Sequence, residues 1–159
     1  MKLRFSGYFA AVLGLALLAG FGVAIHSQGT PVASADGFGR TEVTFTKWVT
    51  TFPNMAGVVG GDVGNGTYAG EIITRDPTLG GGKITLVTAD YHFNGSAHSS
   101  NARLTIWQFD NQFAVLSGAV TSGWRQGATV FGIYRVIQCT QAASGTCFQG
   151  TLYFVGGTP

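Results

Sequence analysis

Beyond residue 40, apolar residues recur at every second position in short runs broken by turn-forming residues. That period belongs to half-buried β-strands. It is clearest in residues 84–109, ITLVTADYHFNGSAHSSNARLTIWQF. Val87, Ala89, Tyr91 and Phe93 share one face, and Ile84, Leu86, Thr88, Asp90 and His92 share the other. Asn94-Gly95-Ser96-Ala97 has hairpin-turn chemistry, because Asn and Gly accept the positive φ of a tight turn. An even-length turn there puts His98, Ser100, Ala102, Leu104 and Ile106 on the Val87 face. Ser99, Asn101, Arg103, Thr105 and Trp107 then fall opposite.

The same reading extends along the chain. Residues 41–50, TEVTFTKWVT, alternate Val43 and Phe45 with Thr and Glu, and Pro53-Asn54 ends that strand. Residues 57–63 and 67–75 flank a second turn at Asn65-Gly66. Asp76-Pro77 and Gly80-Gly81-Gly82 connect into the central hairpin, and Asp110-Asn111 turns out of it. Residues 112–121, 128–139 and 147–155 complete about eight strands, with no helix pattern. The reading is all-β, a small antiparallel eight-stranded closed barrel, with a β-sandwich as the alternative. The 25 glycines, many inside strand patterns, suit the bends of a small barrel. Some strands are apolar on both faces, Phe113/Val115 against Ala114/Leu116 and Phe131/Ile133 against Val130/Val136. A barrel buries one face only, so subunit packing is expected over the other, in a homo-oligomer.

Residues 1–35 read as a cleaved secretion signal, leaving 36–159 as a single domain. Lys2 and Arg4 precede an apolar run from Tyr8 to Ile25, and Ala33-Ser34-Ala35 supplies a cleavage site before Asp36. An uncleaved membrane anchor is the alternative reading of that run. Without Lys2 and Arg4, seven basic residues face seven acidic ones. Neither nucleic acid nor an anionic membrane is expected as a partner, since both call for a clustered basic stripe. Export to a periplasmic or extracellular space favours a disulfide between Cys139 and Cys147. Setting Cys139 opposite Cys147 places Ile137 opposite Gln149, Arg135 opposite Thr151 and Ile133 opposite Tyr153. In a eukaryotic secretory pathway, Asn65-Gly66-Thr67 and Asn94-Gly95-Ser96 are glycosylation acceptors.

No nucleophile elbow, zinc-binding helix or P-loop lysine is present. The glycine-rich residues 60–66 have no helix pattern after them and read as a turn. His92 and His98 lack zinc spacing, so neither metal nor cofactor is expected. Asp90, His92 and Arg103 fall together on the face read as the barrel exterior. Tyr91 and His98 fall beside the apolar floor of Val87, Ala89, Leu104 and Ile106. They are the candidate polar groups of a pocket for a small apolar ligand, at the barrel end near Asn94-Gly95. Glu71 is a third candidate, the one carboxylate in the apolar run AGEII. Its two possible faces, Ala69/Ile73 and Gly70/Ile72, are equally apolar, and both orientations stay open. Trp107, Trp124 and Tyr134 line a pocket or fill the core, and core filling is the default.

Phe93-Asn94-Gly95-Ser96, followed by a polar stretch and Leu104, resembles the segment of dirigent proteins in which an aromatic-Asn-Gly-Ser turn joins two central strands. Residues 115–127, VLSGAVTSGWRQG, are similar to a later strand, turn and glycine pattern of the same allene oxide cyclase and dirigent barrel superfamily. The resemblance implies an exported eight-stranded barrel, commonly trimeric, with a hydrophobic cavity that works without a cofactor. Members cyclise an unstable epoxide or steer the coupling of radicals. The acidic and arginine residues that act in plant dirigent proteins have no secure counterpart here. Fold and cavity carry over; substrate does not. Two functions are therefore carried forward: a cavity protein binding or steering a small apolar molecule, and a structural or interaction barrel with a packed interior.

Overall fold

A computed structural model describes residues 39–158. The expected secretion signal and its cleavage site lie outside the described residues. Eight strands follow one another: β1 Arg40–Val49, β2 Asn54–Gly61, β3 Gly66–Thr78, β4 Ile84–Gly95, β5 Ser99–Phe109, β6 Phe113–Gly123, β7 Thr129–Gln138 and β8 Thr146–Val155. Each pairs antiparallel with the next, and β8 pairs with β1 to close the barrel. Closure leaves no unpaired sheet edge, and a barrel of this strand number has an interior that side chains can fill. The sandwich alternative is thereby excluded.

The expected alternation sets the interior. Val87, Ala89, Tyr91 and Phe93 of β4 are buried, as are Ser100, Ala102, Leu104 and Ile106 of β5. Val43 and Phe45 of β1, Leu116 of β6, Val130 of β7 and Leu152 and Phe154 of β8 meet them. Each fully buried side chain of this size is worth about 1.5–3 kcal/mol. Tyr91 and Phe93 pack edge to face with ring centres 6.0 Å apart, and Phe93 and Phe154 meet in a tilted arrangement at 5.8 Å. Two inward glycines are required by close approach. A Cβ on Gly70 would stand 2.3 Å from the Tyr68 hydroxyl oxygen, and one on Gly150 would stand 2.7 Å from Tyr134 Cβ. Gly70 gives up a side chain so that the Tyr68 ring fits inside the wall, and Gly150 gives one up to the close approach of the Ile133–Tyr134 backbone of β7.

Two expectations need correction. β2 starts at Asn54, directly after the β1–β2 turn, and β3 runs on to Thr78. The β7–β8 register is also two residues away from the expected one: Ile137 pairs with Cys147, Arg135 with Gln149 and Ile133 with Thr151. Cys139 lies beyond the ladder, its N–H donating to the Gly145 carbonyl, and reaches Cys147 diagonally. The two cysteines still stand at disulfide distance, with Cα atoms 5.7 Å apart.

Outside, the barrel has two kinds of wall. On β4 and β5, Arg103 donates to both Asp90 carboxylate oxygens at 2.7 Å, and His92 Nδ1 lies 2.8 Å from Asn101 Oδ1. On β6 and β7, Phe113, Val115, Phe131 and Ile133 face outward and are exposed, Ile133 by 61%.

Candidate functional site

The two ends of the barrel are closed differently. At the Asn94-Gly95 end, the β2–β3 turn folds across the β4–β5 turn. The Val63 carbonyl accepts the N–H groups of Ala97 and His98, and the Val63 side chain is fully buried. The His98 ring stacks flat on Trp124, centres 3.9 Å apart, and the Ser100 hydroxyl donates to the Trp124 carbonyl. Phe93 and Phe154 fill the space beneath.

At the opposite end lies a cavity of about 370 Å³, inside the mouth of the barrel. Its walls include Ile72, Val87, Ile106 and Phe148, one apolar side chain from each of four strands. Its floor is Lys47. The alternation that turns Val43 and Phe45 inward carries β1 on to Lys47, which is only 3% exposed. The ammonium donates to the Tyr91 hydroxyl from across the barrel, and Met55 Sδ lies 3.8 Å away. Tyr91, Tyr134 and Phe148 rings surround it at 4.2, 5.1 and 5.7 Å from their centres. Among the described residues, Lys47 has no carboxylate partner.

Burial without a counter-charge brings Lys47 down to about 7 from its ordinary 10.5. Ring faces attract a cation by about 0.5–2 kcal/mol. Removing an ammonium from water costs several kcal/mol, so desolvation wins. The same burial raises the Tyr91 and Tyr68 phenols well above the usual tyrosine value, with each further raised by a neighbouring tyrosine, and raises Tyr134 as well. All three stay protonated at neutral pH. Tyr134 donates to Gln108 Oε1 at 3.0 Å, and Arg75 stands exposed at the rim. The cavity thus offers the Lys47 amine, the Tyr134 phenol and the amides of Gln108 and Asn111 in a mainly apolar enclosure, with no acidic group on its walls.

The three candidates read from the sequence do not converge. Tyr91 is fully buried in mid-barrel, where it holds Lys47. His98 is half-buried in the packed end, against Trp124. Glu71 points outward from β3 and is exposed, cross-strand from Asp90. The Asp90 carboxylate is held low by Arg103, and it bonds to that guanidinium rather than to His92. Lys47, Gln108 and Tyr134 are the site residues that sequence reasoning passed over or assigned to core filling. The signal for Lys47 was present: it is in phase with Val43 and Phe45.

A second concavity, about 840 Å³, is an open groove on the outer wall, with Val58, Val115 and Ile133 among its lining residues. It carries no buried polar group comparable to Lys47. Comparison of the chain with known protein families, with curated proteins and with solved structures finds no match.

Proposed function

We propose that this barrel binds a small, mainly apolar molecule bearing an oxygen-containing polar group, and that it does so in the mouth floored by Lys47. One observation carries this reading. A lysine with no carboxylate partner among the described residues is held inside an apolar cavity of ligand size, where it costs stability unless a bound group uses it. The apolar walls supply most of the contact, and Lys47 selects the end of the ligand that enters first. Cofactor-free steering of such a molecule, implied by the resemblance to dirigent and allene oxide cyclase barrels, would use the same cavity. The cysteine pair at disulfide distance supports an exported protein. Binding is read by the fluorescence of anilinonaphthalene sulfonate, an apolar anion. Wild type should bind it, and Lys47→Met should weaken binding by about tenfold, the loss of one charge-assisted contact. Equal binding by both proteins would overturn the reading.

The exposed row of Val115 and Ile133, flanked by Phe113 and Phe131, favours a second, compatible reading. A further copy of the chain covers this wall, and the family resemblance suggests a trimer. Light scattering at micromolar concentration tests it; a monomeric mass would count against it.

A further inference from the structure

We propose that Lys47 captures small apolar aldehydes or ketones as a reversible imine within the barrel mouth. This rests on the cavity reading above and names the ligand class for it. Imine formation needs a neutral amine, a carbonyl carbon brought against it, and little competing water. The fold supplies the first through burial: shut away from water among apolar walls and brought down to about 7, the Lys47 amine is available in its neutral form near neutral pH, whereas an exposed lysine is almost wholly charged. The groups facing Nζ are the Tyr91 hydroxyl on β4, Met55 Sδ on β2 and the rings of Tyr68 on β3 and Tyr134 on β7, with Arg75 at the rim. None is a carboxylate that would hold the ammonium charged. The enclosure of Ile72, Val87, Ile106 and Phe148 supplies the other two requirements.

The step balances without an outside reagent. The amine nitrogen adds to the carbonyl carbon, forming the C–N bond and a carbinolamine. The carbonyl oxygen collects both amine hydrogens and leaves as water, and the C=N bond remains. Tyr91, hydrogen-bonded to Nζ, relays a proton between nitrogen and oxygen. Water reverses the reaction and releases the ligand. A purely ionic role for Lys47 would suit a carboxylate ligand, but an amine held this far from water gives up much of the charge such a role needs.

The experiment is reductive trapping of the full chain with benzaldehyde and cyanoborohydride at neutral pH, with adducts located by peptide mass. One adduct is expected at Lys47, while exposed Lys83 reacts at least about tenfold more slowly. Ile72→Trp, which fills the cavity and leaves the lysine in place, should cut trapping by a similar factor. It also covers the case in which Lys47→Met folds poorly. Adducts at Lys83 or the amino terminus with none at Lys47 overturn the imine. If the sulfonate probe still binds in that case, and Ile72→Trp abolishes its binding, the cavity reading stands alone. If neither aldehyde nor probe engages the mouth, both fall.

Discussion

The two ends of the barrel share the same strands and the same inward alternation, yet one is filled with side chains and the other holds a cavity. At the filled end, Phe93 and Phe154 meet across the interior, and Val63 is drawn inward by a turn that folds over its neighbour. At the open end, Ile72, Val87 and Ile106 face one another over space; Gly80-Gly81-Gly82 and Asp110-Asn111 bring no bulky apolar group over it, and Phe52 of the β1–β2 turn reaches only the rim, where it is 64% exposed. The strands decide what points in; the connections decide whether an end is plugged. Lys47, without a carboxylate partner among the described residues, sits where the filling stops. Placed among Phe93 and Phe154 it would meet only packed carbon, whereas at the mouth it meets whatever enters.

The sharpest way to break the comparison is to open the filled end. Phe93→Ala removes a fully buried ring from a site that has no room to relax, and should cost about 3–5 kcal/mol. Val87→Ala at the mouth enlarges a space that already exists and should cost only about 1–2 kcal/mol. Urea denaturation of both variants is the measurement. Equal losses would mean that the mouth is as tightly packed as the far end.

A second test removes the charge instead. The folded state lowers Lys47 from 10.5 to about 7, a difference equivalent to roughly 4–5 kcal/mol. Below pH 7 both folded and unfolded chains hold the proton, so the whole cost is present. Between about 7 and 10.5 the unfolded chain binds more protons, so stability rises with pH. Allowing for the surrounding rings, Lys47→Met should gain about 2–4 kcal/mol at about pH 6. The advantage should shrink by about 1.4 kcal/mol for each further pH unit above 7. A gain independent of pH would mean that the amine is not held in the dry interior.

Much of this fold is legible in the chain. Period-two alternation locates β4 and β5 to within a residue or two, and Asn65-Gly66 and Asn94-Gly95 mark turns in the expected places. The open end is not legible, because inward residues at both ends obey the same alternation and the difference lies in how turns fold back. Glu71 was ambiguous for a local reason. Tyr68, Gly70 and Ile72 point inward, but outward Ile73 is also apolar, and a register shift follows immediately in β3. The β7–β8 register was missed because the cysteines were set directly opposite, whereas Cys139 lies past the end of the ladder. Lys47 enters the sequence reading only as one of the basic residues; in β1 it keeps the inward phase of Val43 and Phe45 despite its charge.

The smallest expected effect returns to the filled end, where the sequence had placed the pocket. His98 contributes a flat stack on Trp124 at 3.9 Å, and its backbone N–H, which substitution leaves intact, donates to the Val63 carbonyl. His98→Ala therefore removes only the ring contact, worth about 0.5–1.5 kcal/mol. The turn fold that closes this end rests on main-chain bonds and on buried Val63, so no new opening reaches the interior. Binding of anilinonaphthalene sulfonate should match wild type within error, and so should benzaldehyde trapping at Lys47. A fall in either would place the ligand at the Asn94 end and reverse the assignment of open and closed.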